Sequence, residues 1–96
     1  MSEKRDIFVE KMKAKLDEWN ADIAKLEAQA RQKEADVQED YRQRIETLKS
    51  KRKSVEERLD KVGQTGGEAW KDLKTGLELA ADSMGEALSS AQSRFR

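Results

Sequence analysis

Apolar and small residues recur along the first third of the chain at alternating steps of four and three residues. They fall at Met12, Leu16, Trp19, Ile23, Leu26 and Ala30. This spacing is a heptad, which places a single apolar stripe along one side of a helix. The pattern predicts a helix that pairs with another helix through this stripe, which we call the N-terminal seam.

The spacing changes after the N-terminal seam and then returns to a loose heptad that ends at Val62. The positions in between are Lys33, Val37, Tyr41, Ile45 and Leu48. An insertion that makes one 11-residue step relaxes the left-handed supercoil without interrupting the helix. We therefore predict a straighter segment around Tyr41 and no break. The result is one continuous coiled-coil helix over residues 1–62, helical from about Ser2 and about 90 Å long at ~1.5 Å per residue.

Three of the five glycines lie in residues 63–67 and mark the end of this helix. Gly63 follows the last seam residue, where a left-handed C-cap is expected. Thr65 stands three residues before Glu68, the spacing of a capping box. The sequence thus predicts a Gly-rich turn and then a second amphipathic helix over 68–96. An 11-residue apolar repeat makes this helix nearly straight, with its apolar face at Leu73, Leu77, Met84, Leu88 and Phe95.

These elements predict an all-α fold in one structural unit, in which the second helix folds back on the first as an antiparallel hairpin. Leu88 is then expected near Tyr41, and Phe95 near Ala35. The second helix covers only about half of the first, so residues 8–30 are expected to keep an exposed seam. The interface residues are therefore predicted to be Phe8, Met12, Leu16, Trp19, Ile23, Leu26, Tyr41, Ile45, Leu48, Leu73, Leu77, Met84, Leu88 and Phe95.

An exposed apolar stripe usually marks an interface, so the chain is expected to bind itself or another helical protein. The distribution of charge favours an antiparallel homodimer that crosses near residue 42. In that register the acidic residues of 34–40 face Arg44 and Lys49 of the other copy. A parallel dimer would set each charged block against its own copy, which costs free energy.

Composition agrees with long, narrowly packed helices. Charged residues make up 42% of the chain and hydrophobic residues 35%, and there is no proline. The 20 basic residues balance the 20 acidic ones, and the apolar residues are periodic, so order is favoured over disorder. The basic residues of 42–53 directly follow the acidic residues of 34–40. This alternation of charge favours a role in setting helix register over nucleic-acid binding. Ion pairs along the helix are expected at Glu27–Arg31, Asp40–Arg44 and Glu57–Lys61.

Site chemistry is restricted because the chain contains neither cysteine nor histidine. It thus lacks a thiol nucleophile and the commonest acid–base and metal ligand. Adjacent carboxylates such as Glu56 and Glu57 diverge on a helix and are interpreted as a solvated face. We expect no catalysis, no cofactor and no metal. Charges interrupt every short apolar run, so neither a signal peptide nor a membrane span is expected, and the cytoplasm is the expected location.

The five aromatic residues fall into two groups. Trp19, Tyr41 and Phe95 lie on the seams, where packing is the expected role. Phe8 and Trp70 lie beside the seams. We therefore predict that these two make exposed contacts with a partner.

Three segments carry a resemblance to known proteins: WNADIAKLEA, DYRQRIETLKSKR and EAWKDLKTGLELAADSMGEALSSAQSRF. Together they resemble small bacterial coiled-coil proteins without an assigned activity, over nearly the whole chain. The resemblance implies a bacterial helical protein and transfers no site residues. The 11-residue repeat of 69–95 is also similar in period to apolipoprotein helices and late-embryogenesis-abundant proteins.

Two functions stay open on the sequence. The first is a non-catalytic coiled-coil interaction or structural protein that acts through helix–helix association. The alternative is a reversible membrane-surface or lipid-binding protein of the stress-protective kind, in which the second helix lies on the bilayer. Acidic residues outnumber basic ones on that helix. Docking on the first helix is therefore favoured over binding to anionic lipid.

Overall fold

Residues 3–95, which the computed structural model describes, form three helices with no strand among them. Helix α1 spans Glu3–Arg31, α2 spans Ala35–Gln64 and α3 spans Trp70–Arg94. The predicted all-α class is therefore confirmed. The predicted helix ends at Ser2 and Arg96 lie outside the described residues.

The prediction of one continuous helix over 1–62 is wrong, because the chain bends at residues 32–34. The N–H groups of Gln32 and Lys33 donate to carbonyls three residues earlier, at 3.2 and 3.1 Å, which closes α1 with a tight turn. Glu34 is extended, with φ −64° and ψ 158°, and its side chain does not cap α2. The change in spacing before Tyr41 is thus a break, and the longest dimension is 52 Å.

Burial of the N-terminal seam explains why the bend is favoured. Every seam residue from Met12 to Ala30 is buried, against the prediction that residues 8–30 keep an exposed stripe. Each large apolar side chain that is fully buried contributes ~1.5–3 kcal/mol. A backbone hydrogen bond has a net value of only ~0.5–1.5 kcal/mol. Folding α1 back on α2 therefore outweighs the few helical hydrogen bonds lost at 32–34.

The turn between α2 and α3 does not contain the predicted C-cap at Gly63 or the predicted capping box at Thr65. Gly63 lies inside α2, and the glycine with positive φ is Gly67, at 62°. The Thr65 hydroxyl donates to the Lys61 carbonyl at 2.6 Å, so it does not form the predicted capping box with Glu68. Helix α3 begins at Trp70, without a side-chain cap. A threonine hydroxyl can bond to the preceding turn as well as to the following one, and here it terminates α2.

Helix α3 runs antiparallel along α2, in a different register from the predicted one. The rings of Tyr41 and Phe95 stack with centroids 3.8 Å apart, and the Tyr41 hydroxyl donates to the Arg94 carbonyl at 3.0 Å. Phe95 therefore takes the place opposite Tyr41 that was predicted for Leu88. One consequence is that Leu73, expected in the seam, is 38% exposed.

Candidate interaction surfaces

Most of the predicted interface residues form the interior of a single chain. Phe8 is half-buried and Leu73 is exposed, whereas the remaining twelve are buried. Those twelve are Met12, Leu16, Trp19, Ile23, Leu26, Tyr41, Ile45, Leu48, Leu77, Met84, Leu88 and Phe95. These twelve positions thus make their apolar contacts within the same chain.

Polar pairs flank the buried seam between α1 and α2. The Lys49 ammonium lies 3.0 Å from the Glu27 carboxylate, and Arg52 donates to the Asn20 amide oxygen at 3.0 Å. Glu27 was predicted to pair with Arg31 on the same helix. It pairs instead with Lys49 of the neighbouring helix. The predicted pair of Asp40 and Arg44 is present, at 3.2 Å.

The link at residues 32–34 contains neither glycine nor proline. Next to it, the Gln38 amide donates at 3.2 Å to the Ala30 carbonyl, which also accepts from the Lys33 N–H at the end of α1. Val37, a predicted seam residue close to the link, is 42% exposed.

Arg5 joins the start of α1 to the turn that precedes α3. Its side chain is buried, and its guanidinium donates to the Thr65 carbonyl at 2.8 Å and to the Asp6 carboxylate at 3.1 Å. Sequence reasoning missed this contact, because a charged residue near the chain terminus gives no signal of burial. The contact places the beginnings of α1 and α3 at the same end of the molecule.

At that end, an aromatic pair forms the floor of an open groove. The rings of Phe8 and Trp70 have centroids 6.1 Å apart, and the Lys74 ammonium lies 5.2 Å from the Phe8 centroid and 5.9 Å from that of Trp70. Trp70 is buried by this packing, so the prediction that it makes an exposed contact is wrong. We call this feature the lysine groove; its volume is about 500 Å³, and its walls are Lys4, Ile7, Phe8, Lys11, Trp70, Lys71 and Lys74.

Four of the seven residues that line the lysine groove carry an ammonium group. Lys71 lies 2.5 Å from the Glu68 carboxylate. The hydrogen bond and positive charge of Lys71, with a smaller contribution from Lys4, hold the pKa of Glu68 below its ordinary value. Lys4, Lys11 and Lys74 form no ion pair with any residue of 3–95. Three ammonium groups of the groove are thus not paired with a carboxylate of this part of the chain.

Among residues 3–95, no set of three or more acidic side chains is placed to hold a metal ion. No helix in this range is long and apolar enough to cross a membrane. No protein family, curated protein or solved structure matches the chain.

Proposed function

We propose that this protein is a non-catalytic interaction protein that acts through helix–helix association, and that two copies associate by exchanging α1. One observation carries the proposal. The whole seam of α1 is buried, mainly against α2, but only the three-residue link at 32–34 ties this pairing to one chain. Short hinge segments favour domain exchange, which is a low-cost route to a symmetric dimer.

The contacts between α1 and α2 can form equally well between two copies. If the link straightens, α1 of one copy can lie on α2 of the other and keep the pairs of Glu27 with Lys49 and of Asn20 with Arg52. In sequence number, the midpoint between the two residues of each pair falls within one residue of Val37. The two long helices then run antiparallel and cross near Val37, instead of near residue 42 as the charge pattern predicted. This crossing would bury Val37, which is exposed in the single chain.

Local propensity supports the straightened link. Gln32, Lys33, Glu34 and Ala35 all belong to the stronger helix formers. Straightening would restore helical hydrogen bonds at the end of α1 and the start of α2, each with a net value of ~0.5–1.5 kcal/mol. This gain recurs in both copies and offsets part of the entropy lost on association.

A proline at position 35 is compatible with the bent link but unfavourable in the straight one, so it distinguishes the two forms. Ala35 is the first residue of α2, where proline is tolerated, and Glu34 already has the extended conformation that a following proline requires. In a continuous helix the same proline costs ~3 kcal/mol per chain. Ala35→Pro should therefore remain monomeric and helical, while Ala35→Ser, which both links tolerate, should associate like the native chain.

Light scattering and circular dichroism over a wide range of protein concentration measure this directly. We expect the native chain to form a dimer whose fraction rises with concentration, and Ala35→Pro to stay a monomer. A native chain that is monomeric throughout, or an Ala35→Pro variant that dimerises equally, would contradict the proposal.

Burial of the apolar face of α3 supports helix association over the lipid-binding alternative. Leu77, Met84 and Leu88 are buried, so α3 would have to leave α2 to lie on a bilayer. Helix content in plain buffer should accordingly be high and unchanged by vesicles containing phosphatidylglycerol. Helix that forms only when these vesicles are added would instead favour the lipid-binding function.

A further inference from the structure

We infer that the lysine groove is a docking site for an acidic segment of a partner protein that also carries a large apolar side chain. This inference does not depend on exchange of α1. In an exchanged dimer, α1 of one copy occupies the same position beside α3 of the other, so the groove is formed in either state.

The shape of the groove accounts for the apolar part of the ligand. Phe8 and Trp70 provide an aromatic floor, and Ile7 on the wall is 51% exposed. The Phe8 ring is half-buried, and the Lys74 ammonium lies over it, 5.2 Å from the ring centroid. A leucine or phenylalanine side chain from a partner could pack on this floor and remove Ile7 and Phe8 from water, which is favourable.

Charge complementarity accounts for the acidic part. The chain as a whole has zero net charge, yet four lysines surround this one groove. Only Lys71 is neutralised, by Glu68, so Lys4, Lys11 and Lys74 remain for carboxylates of the ligand.

The acidic residues beside the groove favour a peptide over a membrane or a nucleic acid. The side chains of Glu68, which pairs with Lys71 of the groove, and of Glu10, which pairs with Lys13 outside it, are 80% and 75% exposed. An extended polyanion, such as an anionic bilayer or a phosphate backbone, would approach these carboxylates as closely as the lysines and be repelled. A short peptide can place its few carboxylates opposite the lysines alone.

The test compares a groove variant with a variant of equal charge. Lys4→Glu/Lys11→Glu reverses two exposed groove lysines that make no ion pair. Lys25→Glu/Lys53→Glu makes the same change in net charge at exposed positions outside the groove. The probes are a short synthetic peptide with glutamates flanking a Leu-Phe pair, the same peptide with lysines for glutamates, vesicles containing phosphatidylglycerol, and single-stranded DNA.

We expect the acidic peptide to bind the native chain and the control variant alike, and to bind the groove variant at least about tenfold more weakly. Its binding should shift the indole N–H resonance of Trp70 and leave that of Trp19 in place; Trp19→Phe assigns the two signals. Absence of binding by the acidic peptide, equal binding of the lysine peptide, or equal loss in the control variant would overturn the inference. So would tighter, groove-dependent binding of vesicles or DNA.

Discussion

Arg5 is the clearest case of a single residue whose role depends on tertiary structure. It is the one buried charged side chain among residues 3–95, with 3% of its surface exposed. Burial of a guanidinium is costly unless its donors are satisfied, and here the Thr65 carbonyl and the Asp6 carboxylate accept from it. Arg5 thereby fixes the turn before α3 to the first turn of α1.

Replacement of Arg5 by alanine should reduce the free energy of unfolding by about 1–3 kcal/mol, because the Thr65 carbonyl loses a charged donor. Urea denaturation followed by circular dichroism measures the change. Arg31→Ala removes an exposed guanidinium and should change the free energy by less than about 0.5 kcal/mol. If the two variants are equally stable, the Arg5 contact does not hold the turn.

At the level of the helices, some features follow from the local sequence and others do not. The residues at heptad spacing from Met12 to Ala30 are all buried, because apolar periodicity reflects which face of a helix packs on its neighbours. The break at 32–34 was missed, since residues 31–36 contain no glycine or proline and all but Asp36 are favourable in helices. The one signal is the absence of a large apolar residue between Ala30 and Val37. Tertiary burial of α1 overrides the local preference for a continuous helix.

The register of α3 on α2 was missed for a related reason. Stacking of Tyr41 on Phe95 and the hydrogen bond from Tyr41 to the Arg94 carbonyl set it. These residues are far apart in sequence, and an 11-residue apolar repeat fits several registers equally well. Only the packed structure distinguishes them.

Two glycines within α3 test the effect of helix propensity against packing. A Cβ atom at Gly85 would meet no atom within 4 Å, whereas at Gly76 it would lie 3.2 Å from the Arg58 guanidinium. Gly85→Ala should therefore stabilise the protein by about 0.5–1 kcal/mol. Gly76→Ala should stabilise it less, because the Arg58 side chain must move. Thermal unfolding ranks the two variants, and a larger gain at Gly76 would show that Arg58 does not restrict this position.

At the scale of the whole molecule, the lysine groove could not be predicted from sequence. Its walls come from residues 4–11 and 70–74, which meet only because the chain bends at 32–34 and again after Gln64. A continuous helix over 1–62 would have placed residues 4–11 far from the second helix. Phe8 and Trp70, which the sequence predicted to contact a partner, both line the groove. Trp70 is buried there and not exposed as predicted.

Exchange of α1 between two copies changes which chain supplies the helix that packs on α2. Asp17 and Glu57 are exposed positions on α1 and α2, and the chain has no cysteine of its own, so Asp17→Cys/Glu57→Cys can carry two spin labels. In the bent chain the labels are close together. In an exchanged dimer the short distance joins labels on different copies, and the two labels of one copy are on the order of 60 Å apart along a continuous helix.

Pulsed electron resonance on this doubly labelled chain, refolded at high concentration with an excess of unlabelled chain, distinguishes the two arrangements most directly. If α1 is exchanged, excess unlabelled chain should replace the short distance by the long one, and the same labels on Ala35→Pro should keep the short distance. A short distance that persists in the native sequence at every ratio of unlabelled to labelled chain would show that α1 never leaves its own copy.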